Sequence, residues 1–166
     1  MKRLLISLVL AIPLLAQQTT RWAATTGQVM VTTSYTATVQ QPTSNTQAVL
    51  LDQIMVYCSA ACTVSQAANG AAATATAGTV TPILPAPLNT PMPFTFWTAS
   101  NVGAGTVQGG TINVAAGAYV MICLTQTCGA TGQVQLGNSG AASNYSATIT
   151  MPSGTGNITF YGRVQQ

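Results

Sequence analysis

Apolar and polar residues alternate with a period of two along most of this chain, the spacing of strands rather than helices. The longest apolar run after the N-terminus is 48–62, AVLLDQIMVYCSAAC. One parity holds Leu50, Ile54, Val56 and Cys58; the other holds Val49, Leu51, Met55 and Tyr57. Only Asp52 and Gln53 interrupt, so both faces read as apolar, the pattern of a strand covered on both sides. A buried helix shows the same run, but turn-like residues at 42–46 and an Ala/Thr/Gly stretch after Cys62 favour the strand. The run is predicted as a central sandwich strand closed by a disulfide-stapled turn.

Residues 27–40 alternate cleanly, with Val29, Val31, Thr33, Tyr35, Ala37 and Val39 on one face. They predict one long half-buried strand. Residues 17–26 are polar apart from Trp22 and read as a loose lead-in. Residues 63–80 are Ala/Thr/Gly-rich and predict short strands or loop, with a hairpin turn at Asn69-Gly70. The stretch 81–93 holds five prolines and predicts an extended crossover outside the sheet ladders, since proline donates no backbone hydrogen bond. Residues 94–98 form a short aromatic strand, and 101–110 read as loop.

Strands at 111–114 and 118–124 flank a tight connection at Ala115-Ala116-Gly117, and 133–136 is a short strand. The clearest pair comes last. Tyr145, Ala147, Ile149 and Met151 alternate with polar residues; after a turn, Ile158, Phe160, Gly162 and Val164 do the same. About eight to ten short strands predict an all-β, single-domain β-sandwich of jelly-roll-like form over 27–166.

The start of the chain follows other rules. Lys2 and Arg3 precede a short apolar core, and Ala16 is a small residue at a cleavage position. Residues 1–16 are therefore read as a signal peptide of bacterial form, too short to span a bilayer comfortably. The expected location is extracytoplasmic, secreted or at the cell surface, with no stable membrane insertion after cleavage.

Charge then narrows the function. Removal of Lys2 and Arg3 lowers the formal charge from +3 to +1 and leaves only Arg21, Asp52 and Arg163. No basic stripe exists to bind nucleic acid by counterion release. Hydrophobic content of 48% argues against disorder. A neutral surface of Thr, Ser, Gln, Asn and Gly can pack against copies of itself with little charge to desolvate. Asp52 is expected at an exposed or bulged point of its strand, paired with Arg163 or Arg21; a buried ion pair is the sharper alternative.

Four cysteines in an exported chain predict two disulfides. The local pairs Cys58 with Cys62 and Cys123 with Cys128 are favoured. Each would add about 2 kcal/mol, against about 4 kcal/mol for a long-range pair. The chain has no His or Glu, and no Lys beyond Lys2. One carboxylate side chain cannot form a glycosidase pair, and a Ser nucleophile lacks a base. No catalytic, metal or cofactor site is expected.

Two functions fit this inventory. The first is a secreted, non-enzymatic structural or adhesive surface protein, binding copies of itself or other surface proteins in a filament or coat. In one version Val29, Val31, Tyr35 and Val39 form a strand donated to a neighbour's sheet. An ordinary first strand in its own sandwich is the plainer reading. The alternative function is a carbohydrate-binding module that stacks glycans on exposed Trp22 or Trp97.

Overall fold

The computed structural model describes residues 19–42, 47–68, 74–77, 80–83, 92–101, 106–125, 133–137 and 143–165. Residues 1–16, Asn69-Gly70, Cys128 and most of the proline-rich stretch lie outside them. In chain order the strands are β1 (Thr19–Thr25), β2 (Val29–Val31), β3 (Ser34–Gln41), β4 (Ala48–Cys58), β5 (Cys62–Ala68), β6 (Thr74–Ala77) and β7 (Val80–Ile83). There follow β8 (Thr95–Asn101), β9 (Thr106–Val114), β10 (Ala118–Cys123), β11 (Val134–Leu136), β12 (Ser143–Thr150) and β13 (Gly154–Gln165).

Two antiparallel sheets result, as a sandwich requires. The first runs β10-β4-β13-β1-β7, with β11 also pairing β4 and β2 also pairing β13. The second runs β6-β8-β3-β12-β5-β9. The two clearest strands of the sequence sit inside the two sheets. β12 lies between β3 and β5, and β13 lies between β4 and β1. Their alternating apolar residues Tyr145, Ala147, Ile149, Ile158, Phe160 and Val164 are buried in the core. Ala37, Val39, Val64 and Phe96 join them from the second sheet, and Trp22, Ile54 and Val56 from the first.

Several expectations need correction. The strand count exceeds eight to ten, because polar runs pair as well as apolar ones. Residues 19–25 are not loose: β1 pairs β13 and β7, and buries Trp22 and Ala24. The strand read over 27–40 breaks at Thr32 and Thr33. β2 pairs β13 in the first sheet, whereas β3 pairs β12 and β8 in the second. The chain changes sheets there, which period-two patterning does not reveal. Residues 106–110 belong to β9 rather than a loop. Part of the proline-rich stretch enters a ladder: in β7, Pro82 lies opposite Trp22. As an edge strand, β7 can spare that N–H. The strands either side of 115–117 do not form a hairpin in one sheet; β9 belongs to the second and β10 to the first.

The central strand holds another surprise. In the β4–β13 ladder Tyr161 opposes Gln53 and Gly162 opposes Leu51, which leaves Asp52 as an extra residue. Such a bulge shifts side-chain parity by one. The core therefore takes Val49 and Leu51 before Asp52, and Ile54, Val56 and Cys58 after it. Beyond the bulge, Met55 and Tyr57 turn to a half-exposed outer face, so β4 is not covered on both sides throughout.

Candidate functional site

Alternation along four strands builds one broad outer face on the first sheet. Register aligns Tyr119 with Tyr57 and Asn157 in one row across β10, β4 and β13. The next row is Met121, Met55, Thr159 and Thr25; the one after is Cys123, Gln53, Tyr161 and Ala23. No charged side chain occurs in these rows. Tyr119 is 70% exposed and Met121 55%, both unusual for large apolar groups. The Tyr57 and Tyr119 rings lie 4.7 Å apart, tilted by 38°. Beside them, Thr25 donates to Asn157 Oδ1 at 3.2 Å, and the Thr159 hydroxyl sits 3.0 Å from both Thr25 Oγ1 and Asn157 Oδ1.

The charges gather at the other end of this face. Arg163 Nε donates to both Asp52 oxygens at 3.1 Å, and its Nη2 lies 2.9 Å from Oδ1. The side chains are 30% and 29% exposed, so this is the bulged, part-exposed pair and not a buried one. Arg21 occupies the position opposite Arg163 on β1.

A second feature lies where several turns meet. A groove of about 660 Å³ is lined by Thr32 and Thr33 at the sheet change, Cys62 and Thr63 after the β4–β5 turn, Val114, and Met151. Its volume suits a small ligand. Cys58 and Cys62 are disulfide-bonded there, with Cα atoms 6.3 Å apart, as the spacing predicted. Ser59 ties the same turn to β13: its N–H donates to Thr155 C=O at 2.9 Å, and its hydroxyl accepts from Thr155 N–H at 2.7 Å. Cys123 ends β10; its predicted partner Cys128 lies outside the described residues.

The sequence-predicted aromatics fall elsewhere. Trp22 is fully buried, its ring 4.4 Å from Phe94, and so offers no surface to a glycan. The reason is local: Trp22 lies opposite Gly162, whose missing side chain leaves the slot the indole fills. Trp97 is half-buried, with its indole N–H enclosed and without a partner. Val31 and Val39 fill the chain's own core, and Val29 and Tyr35 pack against it. Sequence reasoning missed the Tyr57, Tyr119 and Met121 face. Tyr119 and Met121 share a parity, but which face of β10 is open depends on where β10 stands in the sheet.

Among the described residues, no three His, Cys, Asp or Glu side chains gather as a metal site. Tyr145 donates to Gln66 Oε1 at 2.8 Å inside the core, and burial pushes its phenol up to about 12. That shift is away from neutral pH, opposite to the tuning that general acid–base catalysis uses. Compared with protein-family models, curated proteins and solved structures, the chain matches none.

Proposed function

We propose that this protein is an exported, non-enzymatic structural or adhesive surface subunit that acts by associating with copies of itself. The uncharged tyrosine and methionine face of the first sheet carries the reading. Such a face can be covered without desolvating an ion, and contiguous exposed apolar surface marks interaction sites. The reading includes a leader at 1–16. It also includes a jelly-roll-like course, supported by repeated passage between sheets from β3 to β4 to β5 and from β12 to β13. The Cys58–Cys62 bond is compatible with an oxidising compartment.

Size-exclusion chromatography with light scattering, and electron microscopy of the mature protein, test this. The expected result is concentration-dependent assembly that persists between about 50 mM and 500 mM salt, because little of the contact is ionic. A monomer at every concentration would refute it.

A glycan-binding reading is favoured by one observation, the exposed Tyr119 ring beside Tyr57. It moves the predicted platform from the tryptophans to these tyrosines. Retention on a glycan array that disappears in Tyr119→Ala would support it over self-association.

A further inference from the structure

A sheet edge presents unpaired backbone donors and acceptors, and proteins blunt such edges with proline, bulges, charge or brevity. Among the described residues each sheet has two edges. β7 carries Pro82. β6 has four residues and an irregular register with β8. β9 slips register against β5 between Val64 and Gln66, where Gly109 and Gly110 take φ of 68° and 75°. Three edges therefore carry a device.

β10 carries none. Its sequence, AYVMIC, has no proline, glycine or charge. Its register with β4 is unbroken from Ala118 opposite Cys58 to Cys123 opposite Gln53. Leu124 N–H donates to Asp52 C=O at 2.9 Å at the next step of that ladder. In an antiparallel ladder alternate residues bond to the same neighbour. Val120 and Ile122 thus turn their backbone groups to β4, while Tyr119 and Met121 turn theirs to the opposite border, which no other described strand pairs. These two are also among the most exposed large apolar side chains described.

We propose that β10 is the docking site for β10 of a second copy, added antiparallel across a two-fold axis at Val120. The inference rests on the self-association reading and names the contact. Only a strand matches alternating donors and acceptors at this spacing. An antiparallel pair of identical strands is self-complementary about a two-fold axis. In this register Tyr119 exchanges both backbone bonds with the copy's Met121, and Met121 with the copy's Tyr119. Each ring then lies across from a thioether, a favourable pairing. Charge does not oppose it, because β10 has none and Asp52 is paired with Arg163.

Amide hydrogen exchange on the mature protein, read across concentration, tests the contact. Association should slow exchange at Tyr119 and Met121 by about tenfold or more, with little change at Val120 and Ile122, which β4 already holds. Met121→Pro removes an N–H that the protein's own sheet does not use, and should give a folded monomer by circular dichroism and light scattering. Met121→Lys, which keeps the strand but charges the border, should do the same and covers the case where the proline variant fails to fold. Self-association that persists in a folded variant, or unslowed Tyr119 and Met121 amides in the associated wild type, overturns the β10 contact but leaves self-association standing. A wild type that never associates removes both.

Discussion

Single residues set much of this fold by what they lack or cannot release. Gly162 lies opposite Trp22, and a Cβ there would sit 2.2 Å from Leu50 O and 2.5 Å from Trp22 Cζ2. Neither a backbone carbonyl in a central ladder nor a fully buried indole can retreat cheaply. Gly162→Ala should destabilise by about 1–3 kcal/mol or more, the range for overpacked cores, read as a lower urea midpoint at unchanged slope. The sequence showed Gly162 only as a gap in an apolar parity; that the gap admits an indole from a strand some 140 residues earlier is a tertiary fact. Tyr145 supplies a pH-dependent counterpart. Its phenol is raised from 10.0 to about 12 by burial, so the fold favours the neutral form. That contribution is fully present below pH 10 and fades as pH rises toward 12. Tyr145→Phe should flatten this alkaline loss while costing about 1–2 kcal/mol at neutral pH, because buried Gln66 Oε1 loses its donor. Urea unfolding of both proteins at neutral and alkaline pH checks the two effects.

At the scale of elements, legibility followed how completely each strand is buried on one face. β13, inside its sheet with one face on the core, repeats the sequence alternation residue by residue from Thr155 onward; β12 puts Tyr145, Ala147 and Ile149 in the core as read, but buries Asn144 and Ser146 as well. β4 was recognised, but its inner set was not, because the bulge at Asp52 moves the parity by one. The solitary charge was the available signal for that break. β1 and β7 were missed for different reasons: β1, TTRWAAT, has few large apolar side chains to mark it, and in β7 Pro82 reads as a residue outside the ladders. The β4–β5 turn and its Cys58–Cys62 bridge match the reading from the end of the apolar run and the local cysteine pair. Its disulfide closes only a short loop, so its expected effect is small. Cys58→Ser with Cys62→Ser should lower stability by about 2 kcal/mol and leave the β-type circular dichroism spectrum in place. The bonds between Ser59 and Thr155 continue to hold the turn against β13. A loss large enough to unfold the protein at room temperature would mean that the bridge does more than pin a turn.

For the whole molecule, the N-terminal strands separate two routes by which copies would meet under the proposed reading. Strand donation requires that β1 to β3 can leave; edge pairing at β10 requires that they stay. β1 is wedged between β13 and β7, and β3 between β12 and β8. Trp22, Ala24, Val31, Ala37 and Val39 are at most 1% exposed. Burying side chains the size of Trp22, Val31 and Val39 contributes about 1.5–3 kcal/mol each, and the ladders on both sides of two strands go with them. A domain holds only about 5–15 kcal/mol of net stability. Deleting residues 17–40 should therefore abolish cooperative unfolding and give aggregated or unfolded chain, measured by urea titration and light scattering. Adding a synthetic peptide spanning 17–40 should then fail to restore a soluble fold efficiently, because β13 and β12 would already have been lost to aggregation. A truncated chain that stays folded and monomeric, and regains association when given the peptide, would instead make these strands the exchangeable part and put donation ahead of the β10 contact.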